Sequence, residues 1–157
     1  LAVVLGTIGS AAPTVAQAAQ LALRPATAPA PAGNRGALLP VLRAAGLPYP
    51  YWADQFGWRA AGVRRDSISG RSMTTVFYVR AGRRIAYTIV SGPKLTAPGN
   101  ARVTVREGTR IAIFRVDNRT VATWLRRGHS CVLSGAGVPS SVLLRLAAFR
   151  SDGAIPY

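Results

Sequence analysis

His129 and Cys131 are the chain's one histidine and one cysteine. Their types could supply zinc ligands, or a thiol nucleophile with its base. Two apart on an extended strand, they point to the same face. A closed zinc site needs more donors than this pair. Those would have to come from Asp54, Asp66, Glu107, Asp117 or Asp152, whose spacing matches no known site. A single cysteine also excludes an intrachain disulfide and any cysteine-based cluster. The expectation is therefore structural: Cys131 buried, His129 near a turn, no metal and no cofactor.

General acid and base work is equally short of material, because the chain holds only five Asp and Glu residues. Asp54 and Asp66, near an aromatic cluster, are as apt to neutralise Arg59 or Arg64 as to move protons. Ser134-Gly135-Ala136-Gly137 turns on glycine but lacks the Gly-x-x-x-x-Gly-Lys-Ser/Thr form and its lysine. No catalytic residue is assigned, and the domain is expected not to be an enzyme.

Charge is the stronger signal. Twenty Lys and Arg residues give a formal net charge of +15 at pH 7, and all but Lys94 are arginine. The guanidinium is always charged and suits carboxylate or phosphate partners, so the chain should be steered toward nucleic acid, anionic lipid or an acidic polymer. The doublets Arg64-Arg65, Arg83-Arg84 and Arg126-Arg127 lie close to expected turns and could gather as an anion-binding patch at one sheet edge. A solvated rim is the plainer alternative. No nucleic-acid-binding signature accompanies them. Tyr49, Tyr51, Trp52, Phe56 and Trp58 fall close together, and they either plug one end of the core or, through Tyr49, Tyr51, Trp52 and Trp58, form an interface.

Positioning these residues requires a sheet. Alternation predicts strands at Trp58 to Val63, Met73 to Val79, Arg84 to Val90, Ala101 to Val105, Arg110 to Val116, Thr120 to Arg126 and Ser130 to Leu133. Turns fall at Arg80-Ala81-Gly82-Arg83, Glu107-Gly108, Asp117-Asn118 and Arg127-Gly128. Gly135-Ala136-Gly137 should break the sheet. Pro139 should open a C-terminal helix of about three turns with Val142, Leu143, Leu146, Ala147 and Phe149 on its apolar face, and Arg145 and Arg150 on the wet side and C-terminal end. Leu38, Leu39 and Leu42, with Pro40 early and Gly46 as a stop, predict a short helix. The fold class is α+β: an antiparallel meander of about five to seven strands, a C-terminal helix packed on it and a short N-terminal helix.

The chain divides into residues 1–23, 24–36 and 37–157. Residues 1–23 read as the end of a membrane helix, as a leader whose Ala16-Gln17-Ala18 gives an Ala-x-Ala site, or as an Ala-rich soluble helix. Residues 24–36, with Pro25, Pro29 and Pro31, read as a semi-rigid extended linker. The remainder is the β-rich domain, ending in a tail from Asp152 to Tyr157.

Four segments carry a resemblance. They are Trp52-Ala53-Asp54-Gln55-Phe56-Gly57-Trp58-Arg59-Ala60-Ala61-Gly62, Thr75-Val76-Phe77-Tyr78, Arg83-Arg84-Ile85-Ala86-Tyr87-Thr88-Ile89-Val90 and Gly128-His129-Ser130-Cys131-Val132-Leu133-Ser134-Gly135. Over roughly residues 38–150 the chain resembles the extracytoplasmic C-terminal domain of bacterial membrane-bound anti-sigma factors of the zinc-finger type. The resemblance implies a membrane-anchored domain on the extracytoplasmic side. A sigma factor would be held by a cytoplasmic region absent from this chain, giving control of transcription by sequestration. The domain itself would be sensory and non-catalytic. Its partners would be a regulatory protein, a protease acting at the tether, or an anionic envelope or lipid ligand. The alternatives are a nucleic-acid or anionic-polymer binding module and a secreted enzyme with a site near His129 and Cys131.

Overall fold

The structure, a computed structural model, describes residues 11–30, 32–34, 37–38 and 43–149. First in the chain come α1 (Val15–Leu21), the paired two-residue strands β1 (Gly33–Asn34) and β2 (Ala37–Leu38), a second small ladder of β3 (Arg43–Ala44) with β4 (Leu47–Pro48), and α2 (Ala53–Phe56). The main sheet then comprises β5 (Arg59–Ile68), β6 (Arg71–Arg80), β7 (Arg83–Val90), β8 (Arg102–Arg106), β9 (Thr109–Val116), β10 (Arg119–Arg126) and β11 (His129–Ala136), and α3 (Ser140–Ala147) follows. The fold is thus α+β, with a seven-stranded antiparallel sheet, a C-terminal helix packed on it and a short N-terminal helix.

Two-residue turns set the strand register. At Ala81-Gly82 both residues have positive φ, 47° and 73°, the backbone that matches the twist of paired strands. Glu107-Gly108 and Arg127-Gly128 repeat that geometry. Each hairpin joins sequential neighbours, as a meander requires. One junction departs from this: the strand order is β5-β6-β7-β11-β10-β9-β8, so the chain leaves β7, crosses to the far margin and works back until β11 lies beside β7. The crossing segment is pinned where buried Leu95 donates its N–H to Ser130 Oγ at 2.8 Å.

Two strands outrun their expected lengths for identifiable reasons. β5 continues past Val63 because it stays paired with β6 as far as the Ser69-Gly70 turn, whose residues have φ of 49° and 75°, and on the way Arg64 and Asp66, two apart on one face, pair at 2.8 Å. β11 continues through Gly135, which does not break the sheet. A Cβ there would sit 2.8 Å from Ile85 Cγ2 and 3.0 Å from Val138 Cγ2, so the glycine admits close packing. The strand ends only near Gly137, at φ 63°. α3 is shorter than expected at eight residues, with Pro139 as its N-cap and Leu143, Leu146 and Ala147 buried.

The short N-terminal helix is α1. A capping box holds its first turn: Gln17 N–H donates to Thr14 Oγ1 at 3.2 Å, and Thr14 N–H donates to Gln17 Oε1 at 2.9 Å. Seven residues are too few for a stable isolated helix, and burial of Val15, Ala18 and Ala19 against β7 and β11 supplies the rest. Buried Arg119 fastens it by donating to Ala19 O at 2.8 Å and Gln20 Oε1 at 3.1 Å. Further along, Thr27 and Ala28 N–H groups donate to Val63 O, and Val63 N–H donates back to Ala28 O at 2.8 Å. Residues assigned from sequence to a separate anchor and linker thus contribute to the folded body. No helix of the described residues is long and apolar enough to cross a membrane.

Of the helix expected around Leu38, Leu39 and Leu42, Leu38 belongs to β2 and Gly46 sits in the β3–β4 turn at φ 75°. Leu39, Pro40 and Leu42 lie outside the described residues, as do residues 1–10, Arg150 and the tail from Asp152 to Tyr157.

The sheet is covered on both faces. On the first, Val76, Tyr87, Ile89, Ile111, Trp124 and Leu133 pack with α3 and with Tyr49 and Trp52. On the second, Met73, Val90, Phe114, Val121 and Val132 pack with α1 and Leu95.

Candidate binding surface

His129 and Cys131 do share a face of β11, but their surroundings suit neither zinc nor nucleophilic chemistry. Cys131 is fully buried opposite Trp124. Burial pushes its thiol up from 9.0 to about 11, a rise that the nearby Arg126 charge only partly offsets. The thiol is therefore protonated at neutral pH, and a protonated thiol is a poor nucleophile and metal ligand. His129 is half-buried, and its Nδ1 has no hydrogen-bond partner among the described residues. Among those residues no three His, Cys, Asp or Glu side chains converge on a metal position.

The aromatic group proposed as an interface is mostly interior. Tyr49, Trp52 and Trp58 are buried, and Tyr51 is half-buried. Trp52 stacks on Tyr87 with centroids 5.6 Å apart, while Tyr49 meets the same ring edge-on at 5.2 Å. Polar bolts fix this layer to the sheet. Tyr49 donates its hydroxyl to Thr74 O, Tyr78 donates to Pro50 O at 2.7 Å, and Arg126 donates to Pro48 O and to Tyr87 Oη, both at 2.9 Å. Burial raises the Tyr49 and Tyr78 phenols well above 10.0, so both remain hydroxyl donors at any ordinary pH.

Strand alternation separates the three arginine doublets. Arg64 and Arg84 lie on the α1 face. Arg64 binds Asp66 and donates to Pro25 O at 3.0 Å, and Arg84 lies 3.7 Å over the Phe77 ring. Arg65 and Arg83 are exposed on the opposite face. Arg127 is exposed in its turn, whereas Arg126 is fully buried and unavailable as a surface anion contact. These six residues do not form one patch.

A different surface is assembled at the β8 margin. Among the described residues, β8 is a terminal strand with the sequence Arg102-Val103-Thr104-Val105-Arg106, paired only with β9. By register, Arg102, Thr104 and Arg106 share the face of Ile113, Ile111 and Thr109, while Val103 and Val105 share the face of Ala112 and Arg110. Val103 and Val105 are 45% and 61% exposed, and Leu125 on the same face is 42% exposed. Val103 and Leu125 border a groove of about 460 Å³ between the Lys94–Ala97 segment and the sheet, with Lys94 and Arg110 at its rim. On this face α1 packs against β7 and β11, and Val15 N–H at its start donates to Thr96 O of the segment that walls the groove. Arg102, Arg106, Arg110 and Lys94 are all exposed, and the ion pairs formed among the described residues both use Asp66 at the opposite margin.

The doublets drew the sequence reading away from this site. Its own signal was the arginine, valine, threonine, valine, arginine alternation, which marks a strand whose two faces are both without a full cover.

Comparison of the chain with family models, with curated proteins and with solved structures finds no match.

Proposed function

We propose that this is a non-catalytic regulatory module that recognises an anionic partner at its β8 margin. One observation carries the reading: Lys94 and Arg110 stand exposed at the rim of an apolar groove, and Arg102 and Arg106 stand exposed on the other face of the same edge strand, without a carboxylate paired to any of the four among the described residues. Unpaired guanidinium groups beside apolar surface suit a partner that brings carboxylates together with hydrophobic side chains. The interior supports the non-catalytic part, since its thiol is held protonated and its phenols act as bolts. The regulatory setting rests on the resemblance to anti-sigma outer domains. In that setting the module is membrane-anchored, faces the extracytoplasmic side and carries the signal that governs sigma-factor release. A membrane helix and a sigma-binding region encoded upstream of Leu1 are what it requires.

The binding claim is tested by retention on immobilised poly-glutamate across a salt gradient. The triple variant Arg102→Gln, Arg106→Gln, Arg110→Gln is expected to elute at clearly lower salt than the parent, because screening weakens exposed charge pairs. Equal elution of the two proteins overturns the reading.

A further inference from the structure

We infer that β8 accepts an extended acidic segment of a partner protein as an eighth strand of the sheet. The inference rests on the anionic-partner reading and specifies how that partner is held.

The backbone supplies the first argument. Arg106 and Thr109 flank the two-residue turn Glu107-Gly108, so they form a hydrogen-bonded pair, and bonded pairs then alternate along the ladder. Arg102, Thr104 and Arg106 therefore bond to β9, while the N–H and C=O groups of Val103 and Val105 point away from the sheet. An edge of this kind is a template for another strand. The opposite margin shows the fold using that capacity, because Thr27 and Ala28 of the N-terminal segment bond to Val63 of β5. Nothing among the described residues pairs with the outer side of β8.

Side chains define the occupant. An incoming strand would place alternate residues opposite Arg102 and Arg106 on one face, and the residues between them beside exposed Val103 and Val105 on the other, where Val103 borders the groove. The complementary pattern is acid, apolar, any, apolar, acid. Charge selects against a second copy of this chain, since each carries +15 and two β8 edges would bring arginine against arginine.

The test uses a synthetic peptide, Glu-Val-Thr-Val-Glu with blocked ends, and a control with lysine replacing both glutamates. The acidic peptide is expected to slow amide exchange at Val103 and Val105 and to leave exchange along β5 unchanged, and the lysine peptide to do neither. Val105→Pro removes one outward donor without touching the β8–β9 bonds, and should weaken binding at least tenfold, while Val105→Ala should keep most of it. Should the proline variant fail to fold, amide protection in the parent decides. Unchanged amides with bound peptide, affinity indifferent to the proline, a concentration-dependent homodimer through β8, or binding of duplex DNA in preference to the acidic peptide would each overturn strand addition. Retention on poly-glutamate that survives Val105→Pro would do so while leaving the anionic-partner reading intact.

Discussion

Arg126 and Arg106 stand at the same end of the sheet and on the same face, one on β10 and the other on β8, yet the first is fully buried and the second exposed. Cover makes the difference. Pro48 and Tyr49 lie over the end of β10, and the Arg126 guanidinium donates to Pro48 O and Tyr87 Oη. No described segment bonds over Arg106. The same residue type is a bolt in one place and a contact in the other, and the neighbouring layer decides which. A buried guanidinium is tolerated where its hydrogen bonds are supplied, and an exposed one is free to meet a partner's charge.

The sharpest way to break this contrast is Arg126→Ala. It removes two buried hydrogen bonds and leaves a void beneath Tyr49, so chemical denaturation should show a loss of about 3 kcal/mol or more. A loss below about 1 kcal/mol would mean that Arg126 does not fasten the aromatic layer.

The pH response of the same interior comes next. Cys131 titrates near 11 when folded and at 9.0 when unfolded, and the Tyr49 and Tyr78 phenols are raised in the same direction. Groups raised in this way stabilise the fold fully below the unfolded value and lose that contribution as pH climbs through the folded one. Stability should be flat in this respect below about pH 9 and then fall, by on the order of 2 kcal/mol for the thiol alone by pH 11. A thiol reagent at pH 8 should leave native Cys131 unmodified and label it rapidly in denaturant. Stoichiometric labelling of the folded protein would show an accessible thiol and return His129 and Cys131 to consideration as reactive groups.

The smallest effect is expected at the open margin. Arg106→Gln should change unfolding free energy by no more than about 0.5 kcal/mol, because an exposed side chain without a partner contributes little to folding. A loss near that of Arg126→Ala would make the two arginines equivalent and remove the distinction.

Much of the sheet was legible in the chain. Ala81-Gly82, Glu107-Gly108 and Arg127-Gly128 announced hairpins, since a turn of two residues with positive φ is a local property. The apolar face of α3 was equally local. The candidate surface was not, because Arg64-Arg65 and Arg83-Arg84 are adjacent in sequence but point to opposite faces, whereas Lys94 and Arg110, distant in sequence, are brought together at the rim of a groove lined by strands and a loop. Gly135 misled for a related reason: its small size serves contacts with Ile85 and Val138, which sequence spacing cannot display.

By itself the sequence determined the antiparallel hairpins, the terminal helix, the strong positive charge and the poverty of catalytic groups, all of which follow from residue type and short-range periodicity. Tertiary structure alone decided that β11 returns beside β7, that α1 seats its alanines on the sheet, and that β8 is left with an open edge among the described residues. Those outcomes depend on which distant surfaces bury one another, and that competition is settled by the packing of the whole chain.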